Sequence, residues 1–246
     1  MKNLLATAGK IGVLALTLTA CGGGDDSSSS GSGALTGVWA GYYEYGGSLG
    51  HALSVSVDNS TITAVARDGS NLGLTGAISS VQGGIFEFTL YAGATEMDAG
   101  GFMVDGAANH AAILTQGGDF GVLQKNGPTT GTWAAADAIG SWSGYSIALN
   151  STGDITSYDS SSATVDINGN ITGTGPFGGF TGALSTYHTG YGYYTGTWSN
   201  PSNSTSGDLL VWISADKTFA ASYACLGSSD PSWGLDYCTY NSWNKQ

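Results

Sequence analysis

Aromatic side chains are the residues of this chain best placed to do chemistry. Tyr187, Tyr191, Tyr193, Tyr194 and Trp198 crowd one stretch, and Trp233, Tyr237, Tyr240 and Trp243 crowd another near the end. Tyr and Trp carry an apolar face and a polar tip, which suits the recognition of sugars and apolar small molecules. In Tyr191-Gly192-Tyr193 two rings share one face of an extended segment and Tyr194 points the other way. Tyr187, Tyr191, Tyr193, Tyr194, Trp198 and Trp233 are therefore the candidate ligand-binding residues. The structural alternative is that these rings fill the core of a small β-barrel.

Residues for bond-breaking chemistry are scattered. The histidines are His51, His110 and His188, and His110 sits where a strand begins, in Asn109-His110-Ala111-Ala112-Ile113-Leu114. Serines abound without a Gly-x-Ser-x-Gly elbow, and the glutamates are Glu44, Glu87 and Glu96. Asp166-Ile167-Asn168-Gly169-Asn170 approaches a calcium loop but lacks the downstream glutamate, and an Asn-Gly hairpin accounts for it better. No catalytic residue, metal ligand or cofactor is assigned. The reading is a binding or surface-interaction module of unknown ligand. The alternative is an envelope hydrolase with a carboxylate or serine site.

These residues need rigid elements to position them, and the sequence supplies short strands. Phe86, Phe88 and Leu90 alternate with Glu87 and Thr89, and Leu53, Val55 and Val57 alternate with Ser54 and Ser56. A period of two marks half-buried strands. Forty-one glycines and repeated Asn-Gly or Asp-Gly pairs mark tight turns between them. Four blocks recur in order. Gly37-Val38-Trp39-Ala40-Gly41-Tyr42 matches Gly140-Ser141-Trp142-Ser143-Gly144-Tyr145. Val55-Ser56-Val57-Asp58 matches Ala163-Thr164-Val165-Asp166. Leu74-Thr75-Gly76-Ala77-Ile78-Ser79 matches Phe180-Thr181-Gly182-Ala183-Leu184-Ser185, and Ile113–Phe120 resembles Ile213–Phe219. The pattern predicts an all-β fold of two duplicated antiparallel meanders, each a small barrel or sandwich, over residues 35–127 and 128–246. Its strands are expected to run about five to seven residues. A short helical linker is expected over 133–138, and one larger barrel made by both halves is the alternative architecture.

The first residues carry an address. Lys2 and Lys10 precede the apolar run 11–18, too short to span a bilayer as a helix, which reads as a signal peptide over 1–20. Leu18-Thr19-Ala20-Cys21 resembles the lipobox of bacterial lipoproteins. The resemblance implies cleavage before Cys21, its lipidation, and a membrane anchor, with residues 21–34 as a Gly/Ser tether. Gly22 after that cysteine implies the outer membrane, on its periplasmic or its surface face. An exported chain meets oxidising conditions, so Cys225 and Cys238 are expected to pair as a disulfide. The net charge of −12 argues against a nucleic-acid partner. Partners would be the membrane, through the anchor, and a glycan, small molecule or protein.

Two further resemblances concern the body. Tyr91-Ala92-Gly93-Ala94-Thr95-Glu96-Met97-Asp98-Ala99-Gly100-Gly101-Phe102 resembles the strand-turn-strand signature of transferrin-binding-protein-B-type surface lipoproteins. It implies a small lipoprotein barrel. The second half departs from it at Thr197-Trp198-Ser199-Asn200-Pro201, and the family's long charged insertions are missing. The G-x-W openings are similar to those of avidin-like barrels.

Overall fold

The computed structural model describes residues 32–45, 48–66, 71–82, 84–115, 120–127, 131–149, 155–176, 178–188, 190–202, 204–225 and 238–246. Cys21 and Trp233 lie outside them. The chain forms two closed antiparallel barrels of eight strands each, every strand paired with its neighbours in sequence. The first comprises β1 (Gly37–Tyr45), β2 (Ser48–Asp58), β3 (Thr61–Ala66), β4 (Asn71–Gln82), β5 (Ile85–Ala92), β6 (Thr95–Val104), β7 (His110–Thr115) and β8 (Phe120–Lys125). The second comprises β9 (Gly140–Leu149), β10 (Ile155–Val165), β11 (Asn170–Gly175), β12 (Gly178–His188), β13 (Tyr193–Asn200), β14 (Thr205–Ile213), β15 (Phe219–Cys225) and β16 (Cys238–Lys245). β1 closes on β8 and β9 on β16, so neither sheet leaves an edge. The duplication is thus two barrels, not one larger barrel shared by both halves.

Strands run from 6 to 12 residues, longer than the expected five to seven. Closure of eight strands requires tilt and stagger, and tilted strands are long. Apolar residues point into each lumen. Ser and Thr line the outside of the second barrel, where Ser162 pairs with Thr174 and Thr181 with Ser199, each at 3.0 Å. A lipid-facing barrel has the opposite polarity. Among the described residues no helix is long and apolar enough to cross a membrane.

The repeated G-x-W-x-G-Y motif is the device that plugs one end of each barrel. A turn of 3-10 helix precedes each opening strand: Ser32–Leu35 and Ala135–Ala138. Trp39 Nε1 donates to the Leu35 carbonyl at 2.8 Å, and Trp142 Nε1 donates to the Ala138 carbonyl at 2.9 Å. Both indoles are buried. A lysine from the last strand lies over each ring, Lys125 at 5.6 Å and Lys245 at 5.2 Å, where the π face attracts the ammonium. The same lysines donate to Ala34 and Asp137 carbonyls, each at 2.9 Å, satisfying helix-end groups that would otherwise be orphaned. The second glycine of each motif is fixed by packing. A Cβ on Gly41 or Gly144 would lie 1.8 Å from the Val122 or Ser242 carbonyl oxygen. The helical segment expected over 133–138 is therefore a plug as well as a connection. Ser32, Gly33 and Ala34, read as tether, belong to the first plug.

The barrels pack side by side through equivalent strands. Phe120 of β8 lies 5.7 Å from Tyr240 of β16. His110 of β7 stacks on Phe219 of β15 at 5.3 Å and 9°. His110 and Phe219 hold the same position in the two halves, because each closes a matching turn: Asp105 N to His110 O, and Ser214 N to Phe219 O. The counterpart of residues 213–219 is therefore 104–110, and not the stretch 113–120 that the sequence matched to it. Equivalent residues meeting each other is the signature of a two-fold interface, here within one chain.

Candidate functional site

The candidate site is the lumen of the second barrel. A cavity of about 70 Å³ runs from the plug, at Ala138 and Trp142, toward the hairpin at Gly175 and Pro176 between β11 and β12. A single water needs roughly 10–15 Å³ of such space, so the cavity has room for several waters or a group of a few heavy atoms. No charged side chain lines it among the described residues.

Register explains why this barrel is hollow. Gly76 pairs with Leu90 in the first barrel, and its counterpart Gly182 pairs with Trp198 in the second. One pair further, Ile78 faces Phe88, and Leu184 faces Gly196. On the next strand Phe86 pairs with Phe102, whereas Tyr194 pairs with Val211. Beyond that, Phe102 pairs with Ile113, whereas Val211 pairs with Ser222. Phe102 has thus become Val211 and Ile113 has become Ser222, both in the cavity wall. The pair Phe88–Gly100 has become Gly196–Leu209, so a bulky side chain is kept there on the neighbouring strand. In the first barrel Phe88 and Phe102 fill the lumen, buried with centroids 4.9 Å apart.

The walls of the hollow have two characters. Phe180, Trp198 and Trp243 supply aromatic surface, with Phe180 and Trp243 rings 6.4 Å apart. Across adjacent strands β9, β16 and β15 runs a polar belt. Ser146 Oγ donates to Asn241 Oδ1, and Asn241 Nδ2 donates to Ser222 Oγ at 3.0 Å. All three are buried. Trp243 is 8% exposed, and its Nε1–H has no hydrogen-bond partner among the described residues. A buried donor left unpaired costs roughly 1–3 kcal/mol, which an incoming acceptor would recover.

The candidate rings read from sequence divide between this site and the joint between barrels. Trp198 lines the cavity. Tyr193 and Tyr194 are 3% and 2% exposed, so they form no solvent-facing platform. Tyr193 packs on Trp212 at 4.7 Å, and Tyr194 Oη donates to the Ala134 carbonyl at 2.7 Å, bracing the plug. Tyr187 stacks on Tyr194 at 5.8 Å. Tyr191 meets Tyr42 of the first barrel at 5.6 Å, and Tyr42 meets Trp133 at the same distance. Trp133 Nε1 donates to the Ile213 carbonyl at 3.0 Å while Lys217 lies 4.3 Å above its ring. Gly192, at φ 66°, leaves Trp133 room: a Cβ there would sit 2.3 Å from its Nε1. Tyr193, Tyr194 and Trp133 are buried because the second barrel needs them to seat its plug and its neighbour, whereas Tyr187 and Tyr191 are each 37% exposed at the edge of that joint. Trp233 lies outside the described residues.

Polar chemistry gathers at the same joint. His110 Nδ1 lies 2.7 Å from Asp105 Oδ2, and Nε2 lies 2.8 Å from Asp216 Oδ2 of the second barrel. Burial opposes the imidazolium charge, but the hydrogen bonds that its N–H groups donate to the two carboxylates outweigh it and hold His110 above its ordinary 6.5. Burial likewise opposes ionisation of Asp105 and Asp216. Their hydrogen bonds, to His110 and the Asn109 amide and to Ser214 and His110 respectively, still keep both carboxyls below the usual range. With both ring nitrogens engaged by carboxylates, His110 is a clasp between barrels. In the loop once weighed for calcium, Asp166 Oδ1 accepts from the Asn168 and Asn170 amides at 2.8 and 2.9 Å. The loop thus uses its own carboxylate to close the turn. Cys225 and Cys238 face each other in register where β15 ends and β16 begins.

No known family model matches this chain, and no curated protein matches it. Solved structures similar to it include a protein of unknown function of the DUF3598 family from Nostoc punctiforme. That match has 13% identity and a TM-score of 0.40, over 87% of this chain and 97% of that one. They also include a double mutant of the vaccine antigen transferrin binding protein B from Haemophilus parasuis, at 8% identity and a TM-score of 0.38. Here 80% of this chain is covered, and it spans 60% of that protein.

Proposed function

We propose that this chain is a non-catalytic binding module whose ligand site is the lumen of the second barrel. The observation that carries the reading is a cavity with no charged side chain among the described residues of its lining, at the level where Val211 stands in place of Phe102 and Ser222 in place of Ile113. Small-molecule sites are concave, mostly apolar and furnished with a few placed polar groups. The first barrel, filled by its own side chains, serves as a scaffold. Val211→Phe restores the residue of the first barrel and should fill the cavity. A thermal-shift screen of uncharged small molecules should give ligands for the wild type that Val211→Phe no longer takes. Ligands retained equally by both would place the site elsewhere. The hydrolase alternative would use a carboxylate or a serine, and His110 offers it no free base, since both ring nitrogens are engaged by carboxylates.

The module's setting is part of the proposal. Lipidation of Cys21 would anchor it to the envelope, most simply at the outer membrane, with the Gly/Ser segment as tether. Labelled palmitate should mark the wild type and spare Cys21→Ala, and labelling of both would remove the anchor from the account. A Cys225–Cys238 disulfide would tie the open end of the binding barrel. Its support is the direct register of the two cysteines, where Cβ atoms stand about 4.5–5.5 Å apart before the bridge draws them in. A non-reduced digest should contain the linked peptides.

A further inference from the structure

The barrels differ on their outer faces as well as in their lumens. Phe180, Leu184, Trp198 and Leu209 line the cavity of the second barrel, so the residues alternating with them point to solvent. Across six strands these outward residues form one row in direct register: Ser141 on β9, Thr164 on β10, Thr172 on β11, Thr181 on β12, Ser199 on β13 and Ser206 on β14. Every member carries a hydroxyl. The matching row of the first barrel reads Val38, Ser56, Thr63, Thr75, Tyr91 and Glu96. Its middle positions are hydroxyls too, and the valine, tyrosine and glutamate that interrupt it have serine as their counterpart in the second barrel. Charge is also missing from this face. From Ser160 to Gly207 the only carboxylate is Asp166, with no lysine or arginine, in a chain of net charge −12. Surfaces kept for solubility alone intersperse charges, so solubility does not account for a neutral face made of hydroxyls.

We infer that the end of this row is a binding site for a neutral oligosaccharide, distinct from the lumen. Across β12, β13 and β14 the face dips into a shallow, open hollow of about 570 Å³, lined by Thr181, Thr197, Ser199, Ser206, Gly207 and Asp208. Small-molecule sites commonly have this size. Each hydroxyl donates one hydrogen bond and accepts others, as the hydroxyls of a sugar do. Thr181 Oγ1 and Ser199 Oγ lie 3.0 Å apart, so each is already oriented by the other. Neighbouring strands stand about 4.7–4.9 Å apart, a step comparable with one pyranose ring, so successive strands can meet successive sugars. The threonine methyls and the bare backbone of Gly207 suit the C–H faces of those rings. Asp208, exposed and paired in register with Thr197, supplies a carboxylate that can accept from both hydroxyls of a vicinal diol. No cation lines the hollow among the described residues, so an acidic sugar would meet Asp208 unpaired. An ice surface also presents ordered hydroxyls, but it is planar, and here the face of a barrel curves and dips.

The probes are three neutral tetrasaccharides, maltotetraose, cellotetraose and mannotetraose, with tetragalacturonate as the acidic counterpart. Each is titrated into the full chain while the backbone amides of Thr181, Thr197, Ser199, Ser206 and Asp208 are followed by NMR. At least one neutral probe should shift these resonances saturably, and tetragalacturonate should leave them unmoved. Ser199→Tyr combined with Ser206→Glu installs the side chains that the first barrel carries in the same register. It should weaken binding at least tenfold while the melting temperature holds. Asp208→Asn should weaken it about tenfold, the worth of a hydrogen bond to a charged group. Val211→Phe, which fills the lumen, should leave sugar binding unchanged, so this site and the lumen stand or fall separately. The inference is overturned if no neutral tetrasaccharide moves these amides, or if tetragalacturonate binds as well as they do. Sugar binding that survives the double variant, or that Val211→Phe removes, places the site elsewhere. If the chain arrests ice recrystallisation and the double variant does not, the occupant is ice and the saccharide is wrong.

Discussion

The two barrels are built to one plan and differ in what fills them. Each has a plug helix, a buried tryptophan bonded to it and a lysine over the indole. In the first, Phe88, Phe102 and Ile113 pack the lumen. In the second, Val211 and Ser222 stand in the places of Phe102 and Ile113, and a cavity remains. Plug and closure carry the fold, so they are kept in both copies. Lumen volume is free to vary once the ends are shut, so one copy can be solid while the other holds a ligand.

The largest effects should come from the features the barrels share. Trp39→Ala and Trp142→Ala each remove a buried indole and the seal of one barrel. Each should cost about 3–5 kcal/mol in denaturant unfolding of the full chain. A much smaller loss for one of them would mean that its plug is not structural. Phe88→Ala turns the comparison around. It should destabilise by a similar 3–5 kcal/mol and open a hollow in the first barrel, detectable as new uptake of an apolar probe. Stability loss without uptake would mean that the first lumen collapses where the second does not.

The next effect belongs to the second barrel alone. Reduction of a Cys225–Cys238 bridge, which closes a loop of roughly 15 residues, should cost about 3 kcal/mol. Hydrogen exchange should rise in β15 and β16 while β1 to β8 stay protected. Equal loosening of both barrels would show that they unfold as one unit.

A smaller effect concerns the clasp that joins the barrels. His110 is held above 6.5, so its contribution is complete below that pH and fades as pH rises through the higher folded value. Asp105 and Asp216 are held low, so their contribution is complete above about 4 and fades in stronger acid. The joint should be tightest in the mildly acidic window between these limits. The groups facing His110 are Asp105, Asp216, Gln124, Thr218 and Phe219, with Lys217 one residue from Asp216 on the same turn. Small-angle scattering should show the barrels spreading above neutral pH in the wild type. The His110→Gln variant should be looser and indifferent to that change, and a wild type that spreads no more than the variant would remove the clasp from the account.

Much of this architecture was legible in the sequence. Period-two alternation in Leu53–Val57 and Phe86–Leu90 gives strands, and the repeated G-x-W-x-G-Y gives the duplication and places Trp39 and Trp142 alike. The hollow was not legible. Val211 is one valine among several, and only the pairing of Phe86 with Phe102 and of Tyr194 with Val211 aligns it with Phe102. Trp198 lines the cavity, but its neighbours Tyr193 and Tyr194 share its aromatic type and serve the plug and joint. The clasp was invisible because His110 and Asp216 are separated by 106 positions. The matching turns before His110 and Phe219 were the available signal, and they show only once both barrels are laid in register.

The contrast between a solid and a hollow barrel is tested most directly by xenon, which enters dry apolar cavities and makes no demand on chemistry. Crystals of the full chain under xenon pressure should show the gas in the second lumen, beside Val211, and none in the first. Val211→Phe should abolish it. Xenon in both lumens, or in the first alone, would contradict the account.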